Sequence, residues 1–134
     1  MTERQKLTKL TAKIKKLQVP GLYWYKLGDT FGGHKKPCDV VGHYYGQMFM
    51  IEFKTVKEFK KSDMGLSDFQ SQELNKNHLA GGFSFIGVFH NTDINFYLTD
   101  GGKDGEGTGI VFSLNAETTD FREFLTWILK RNGG

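Results

Sequence analysis

Residues 38–54, CDVVGHYY-GQ-MFMIEFK, constrain the fold more than any other segment. Apolar, β-branched and aromatic side chains alternate on both sides of Gly46-Gln47, which predicts two strands joined by a short hairpin turn. Val40, Phe49, Ile51 and Phe53 form a core face, and Asp39, Glu52 and Lys54 fall on the other. With Tyr45 and Met48 flanking a two-residue turn, Asp39 stands opposite Lys54 and Val41 opposite Glu52. The three polar side chains then lie within about 4.5–8 Å of one another. Two carboxylates and an ammonium on so apolar a hairpin are costly unless something uses them.

The rest of the chain supplies layers for that hairpin. Leu7, Leu10, Ile14 and Leu17 recur at steps of three and four, predicting a helix over 3–17, capped by Thr2 and ended by Gln18-Val19-Pro20-Gly21. Strand patterns follow at 22–27, 83–89, 94–98 and 110–114. A second helix starts at Ser67-Asp68 and runs to about Ala80. A third is capped by Thr118 or Thr119 and turns Phe121, Phe124, Leu125, Ile128 and Leu129 inward. The order αβββαβββα predicts an α/β fold, a mixed sheet flanked by helices, in one domain spanning residues 1–134. Seventeen glycines and an aromatic content of 14% suit short strands joined by tight turns. No apolar run reaches the ~18 residues of a membrane span. The N-terminus lacks the apolar core of a secretory signal, and the one cysteine, Cys38, excludes an internal disulfide framework. A cytoplasmic setting is expected.

Charge is unevenly spread. Residues 1–36 hold nine Lys/Arg against two acids, a net +7, while residues 37–134 hold nine against thirteen, a net −4. Lys6, Lys9, Lys13 and Lys16 repeat one residue ahead of the apolar stripe, about 100° round the helix. This stripe reads either as a solvated face or as a contact for a polyanion. The loop from Gly28 to Lys36 places Lys35 and Lys36 where a DNA backbone could be reached. Asp100, Asp104 and Glu106 do not alternate as a calcium loop requires. His34, His43, His78 and His90 lack metal-ligand spacing, although His43 shares the polar face of the hairpin. Cys38 has no histidine placed to make it a nucleophile.

Two readings fit Asp39, Glu52 and Lys54. One is a cross-strand Asp–Lys pair at a sheet edge with Glu52 solvated. The other is a site for Mg²⁺ or Mn²⁺, which prefer carboxylate oxygens, with the lysine positioning water for attack on phosphorus.

Pro37-Cys38-Asp39, followed after twelve residues by Glu52-Phe53-Lys54, resembles the signature of the PD-(D/E)XK nuclease superfamily. Trp24-Tyr25-Lys26-Leu27, Asp29, Lys36-Pro37-Cys38-Asp39-Val40, Ile51-Glu52-Phe53-Lys54 and Leu66-Ser67-Asp68-Phe69-Gln70 resemble its Holliday-junction resolvase branch, of the archaeal type. VRR-NUC-type nucleases are near relatives of the same pattern. The resemblance covers roughly residues 20–90 and the basic N-terminal helix. Cys38 replaces a more usual hydrophobic residue and is small and apolar enough to serve.

The resemblance implies a restriction-endonuclease-like α/β fold. It implies Asp39 and Glu52 as ligands of Mg²⁺, for which Mn²⁺ substitutes, with the Phe53 carbonyl as a further ligand. Lys54 would orient the attacking water, and Gln70 would bond to that water or to the scissile phosphate. Glu3 reads either as an added acid of the site or as a first-turn glutamate favoured by the helix dipole. Lys26 reads as a phosphate contact or a solvated strand residue. The implied activity is a structure-selective endodeoxyribonuclease, a Holliday-junction resolvase making paired nicks in four-way DNA as a homodimer. The rivals are another nuclease of the superfamily (nickase, flap-cutting or restriction-like) and a non-catalytic DNA-binding module.

Overall fold

Thr2 starts the first helix as its sequence predicts. Its hydroxyl accepts from the Gln5 N–H at 3.2 Å, and the Gln5 side chain accepts from the Thr2 N–H at 2.9 Å. The computed structural model describes residues 1–28, 36–55, 66–101 and 110–131. Lys35, His34, Asp104 and Glu106 lie outside these residues. The elements are α1 (Glu3–Leu17), β1 (Leu22–Lys26), β2 (Val40–Tyr44), β3 (Gln47–Thr55), α2 (Asp68–Leu79), β4 (Phe83–His90), β5 (Asp93–Leu98), β6 (Ile110–Asn115) and α3 (Arg122–Arg131).

The strands form one mixed sheet in sequential order, β1-β2-β3-β4-β5-β6. All neighbours are antiparallel except β3 and β4, which run parallel across the α2 crossover. The expected α/β architecture is therefore present. β4 is buried along nearly its whole length, which explains its continuous apolar run, FSFIGVF. Gly87 of β4 lies against the Phe53 ring, where a Cβ would come within 2.8 Å.

Helices cover both faces. Leu7, Leu10 and Ile14 of α1 and Phe121, Phe124, Leu125 and Ile128 of α3 pack with Val40, Phe49, Ile51 and Phe53 on one face. Phe124 stacks on Phe96 at 4.1 Å between ring centres. On the other face Leu66 and Leu74, the latter from α2, join Leu27, Cys38, Met50, Ile86, Val88 and Tyr97.

Four expectations change. The hairpin turn is Tyr45-Gly46, not Gly46-Gln47, with φ of +47° and +83° and Tyr44 opposite Gln47. Both central residues are left-handed, the geometry that matches strand twist in a two-residue hairpin. Tyr45 accepts this conformation because its N–H donates to the Gly21 carbonyl and its ring rests beside Tyr44. The register thus slips by two residues, which preserves the faces but changes the partners. Second, the start of α3 is met by Asp120, whose carboxylate accepts from the Arg122 N–H at 2.9 Å. Thr119 instead accepts from the Asn115 N–H. Third, Leu17, the last residue of α1, is exposed. Fourth, Leu129 is only half-buried on α3.

Candidate active site

The corrected register brings Asp39 level with Glu52, one step beyond the Val40–Ile51 pair. Its predicted partner, Lys54, lies two residues further along β3. Asp39 closes the ladder itself: its N–H donates to the Ile51 carbonyl at 3.1 Å, and its Oδ2 accepts from the Phe53 N–H at 2.8 Å. The N–H and C=O of one strand residue face the same edge, so the Phe53 carbonyl is directed toward the Asp39 side of β3.

Glu52 is 6% exposed and Asp39 9%. Glu52 Oε2 accepts from the Gln70 side chain at 3.0 Å and lies 3.5 Å from the Lys54 ammonium. Its other oxygen, Oε1, is buried with no hydrogen-bond partner. Burial and then the charge of Asp39 push the Glu52 carboxyl up to about 8, against the opposing pull of Lys54 and Gln70. Gln70 can reach Glu52 because it is the N3 residue of a capping box. Its carbonyl oxygen accepts from the Ser67 N–H, which leaves its amide N–H free for Glu52.

The first turn of α1 approaches from the opposite face. Glu3 Oε1 is also buried without a partner. Burial, then the charge of Asp39, raises the Glu3 carboxyl above its ordinary range, while Lys54, Lys36 and Lys6 oppose the shift. A depression of about 170 Å³ is lined by Glu3, Lys26, Lys36 and Asp39, among others. Lys36 is held inside this site, its Nζ 2.7 Å from Asp39 Oδ1. Lys26 donates to the Thr8 hydroxyl at 3.0 Å.

A divalent cation fits this donor set. Two buried carboxylate oxygens lack partners, one carboxyl resists ionising without a compensating charge, and a strand carbonyl faces the same edge. Among the described residues no group of three or more His, Cys, Asp or Glu side chains is placed to hold an ion. Mg²⁺ does not require one, since it binds through one or two carboxylates and retains several waters.

No family model matches the chain, and no curated protein matches it. Among solved structures the chain is similar to Hjc of Archaeoglobus fulgidus, a Holliday junction resolvase from an archaeal hyperthermophile. Identity is 18% and the TM-score 0.45, over 66% of this chain and 72% of that one.

The basic stripe of α1 extends away from Glu3 for about 15 Å between Lys6 and Lys16. Lys6 sits over the Phe89 ring at 5.8 Å, and Lys13 donates to the Ala116 carbonyl. With Lys9 they line a depression of about 240 Å³ beside the β4–β5 turn. Lys9 and Lys16 are exposed. Cys38 is fully buried, and burial pushes its thiol up to about 12, which removes it as a nucleophile. His43 is exposed on β2 and stacks on Tyr23. The sequence reading gave no role to Tyr23 or Tyr25. Their alternation with Trp24 marks them as outward-facing, and only the uncovered sheet face distinguishes them from ordinary surface residues. No helix among the described residues is long and apolar enough to cross a membrane.

Proposed function

We propose that this protein is a Mg²⁺-dependent endodeoxyribonuclease of the restriction-endonuclease-like type, with Mn²⁺ able to substitute. Its preferred substrate is branched DNA, foremost four-way junctions. The observation that carries the reading is Glu52: a buried carboxylate with one unpartnered oxygen, level with Asp39 and within reach of Lys54. A purely structural Asp–Lys pair would need no second carboxylate here, and removing these charges from water costs several kcal/mol.

Asp39, Glu52 and the Phe53 carbonyl would hold the ion. The bound ion would neutralise charge on the phosphate and activate water. Lys54, steered by Glu52 Oε2, would orient that water and offset the negative charge of the attacked phosphate. Gln70 fixes the Glu52 carboxylate from the start of α2, and Glu3 would add negative charge from α1. Lys26, Lys35 and Lys36, with Lys6, Lys9, Lys13 and Lys16, would contact phosphates and so read DNA form rather than sequence. Paired nicks across a junction would require a homodimer with two sites.

The test is purified protein with Mg²⁺ on labelled duplex, flap and four-way substrates. Cleavage preferring the four-way substrate is the expected result. Cleavage of all three alike would leave a general nuclease. Binding without cleavage would overturn the enzymatic reading in favour of a DNA-binding module.

A further inference from the structure

The sheet face that carries Asp39 and Glu52 is not fully covered by α2. Moving away from the carboxylates, the register defines two cross-strand rows on that face. The first is Tyr25, Val41 and Met50, and the second Tyr23, His43 and Met48. Met50 and Val41 pack into the α2 core. The outer positions do not: Tyr23 is 48% exposed, Tyr25 49% and Met48 40%, and His43 is exposed as well. The exposed rings are aligned. Tyr23 and Tyr25 lie 6.2 Å apart at 5° between planes, and Tyr23 and His43 lie 5.3 Å apart at 17°.

We propose that Tyr23, Tyr25 and His43 form a stacking platform for unpaired nucleotides flanking the bond that is cut. The inference rests on the nuclease reading and adds to it a preference for branch points at which nucleotides beside the scissile phosphate are unpaired. Three observations favour a DNA strand as the occupant. Side chains two residues apart on a strand are about 7 Å apart, close to the step of an extended single strand, so the rings stand about one and two steps from the Asp39–Glu52 row. The rows contain no acidic residue that would repel a phosphodiester backbone. The flat, near-parallel rings suit base stacking, which tolerates any sequence because every base presents a π-face. A second copy of the chain is the competing occupant.

The test uses the full chain in Ca²⁺, with binding of a labelled fork carrying unpaired nucleotides and of a fully paired duplex measured by fluorescence anisotropy. Wild type is compared with the Tyr23→Ala/Tyr25→Ala and Tyr23→Phe/Tyr25→Phe pairs, and each protein's mass is taken by light scattering. The alanine pair is expected to weaken fork binding by about tenfold or more, leave duplex binding unchanged and keep the wild-type mass. The phenylalanine pair should bind like wild type. Unchanged fork binding by the alanine pair, or equal loss on both DNAs, would overturn the platform. A fall in mass would assign the face to a second copy and overturn it too. Cleavage of the same fork and of a four-way junction by wild type in Mg²⁺ is read in parallel. Selective loss of fork binding with no wild-type cleavage of either the fork or a four-way junction would sustain the platform while rejecting the nuclease.

Discussion

Gln70 joins the start of α2 to the candidate catalytic carboxylate, its side-chain N–H donating to Glu52 Oε2 at 3.0 Å. The same side chain completes the cap with Ser67, so helix start and site geometry depend on one residue. Any rotation of Gln70 that released Glu52 would also expose the Ser67 N–H to loss of its acceptor.

Replacing Gln70 with Ala should therefore affect two measurements at once. Loss of half a capping box costs about 1 kcal/mol, or a few degrees in melting temperature for a chain of this size. Cleavage should fall by more than that stability loss explains, because Glu52 loses its anchor. Thermal melts and single-turnover rates on folded protein separate the two effects. A wild-type rate in the variant would show that the Glu52 contact is idle.

Metal-free stability should decline from mildly acidic to alkaline pH. The folded Glu52 carboxyl lies at about 8, above its ordinary value near 4.5. Between those values the folded state holds a proton that the unfolded state has released, so stability drops as pH rises through the window. Glu3 is shifted in the same direction. In chelator, Glu52→Gln should melt higher than wild type at about pH 8.5 and show a shallower loss from about pH 5.5. Parallel melting curves for the two proteins across this range would contradict the burial argument.

Lys36 acts as a built-in counter-ion, 2.7 Å from Asp39 Oδ1. Lys36→Gln should lower the metal-free melting temperature, because the Asp39–Glu52 pair loses a compensating charge. It should also enlarge the rise produced by saturating Mg²⁺ or Mn²⁺, since the cation then replaces what the lysine supplied. A smaller rise than in wild type would remove Lys36 from the metal's electrostatic environment.

The hairpin turn gives a prediction independent of chemistry. A Cβ at Gly46 meets no atom within 4 Å, so Gly46→Ala acts only through its φ of +83°. About 1 kcal/mol of stability should be lost, measured by urea unfolding, with cleavage by the folded protein unchanged. A neutral effect would mean that the turn relaxes to another type.

Much of this was legible because the signals are local. Thr2 and Ser67 announce two helix starts through their own capping side chains, and the strongly apolar run 83–89 reads as a strand. The two-residue alternation assigned Asp39, Glu52 and Lys54 to one face, and that face survived the change in register. The register itself was not legible. It depends on Tyr45 entering a left-handed conformation against Gly21, an interaction between the hairpin and the turn before β1. The orphaned oxygens of Glu3 and Glu52 were hidden for the same reason. They arise where α1 and α2 converge on one end of the sheet from opposite faces.

Oligomeric state tests the junction-resolving part of the account. Light scattering at assay concentrations should give a dimer, and a cruciform plasmid should be linearised within one binding event. A monomer that leaves only nicked circles would limit the activity to single nicks.

The most direct measurement is cleavage of a labelled four-way junction in Mg²⁺ by wild type, Asp39→Asn and Glu52→Gln under single-turnover conditions, with junction affinity measured in Ca²⁺. The account predicts cutting by wild type and a loss of at least about a hundredfold in each variant, with affinity equal or tighter because repulsion of phosphate is reduced. Cleavage by either variant at near the wild-type rate would contradict the assignment of these two carboxylates to the metal.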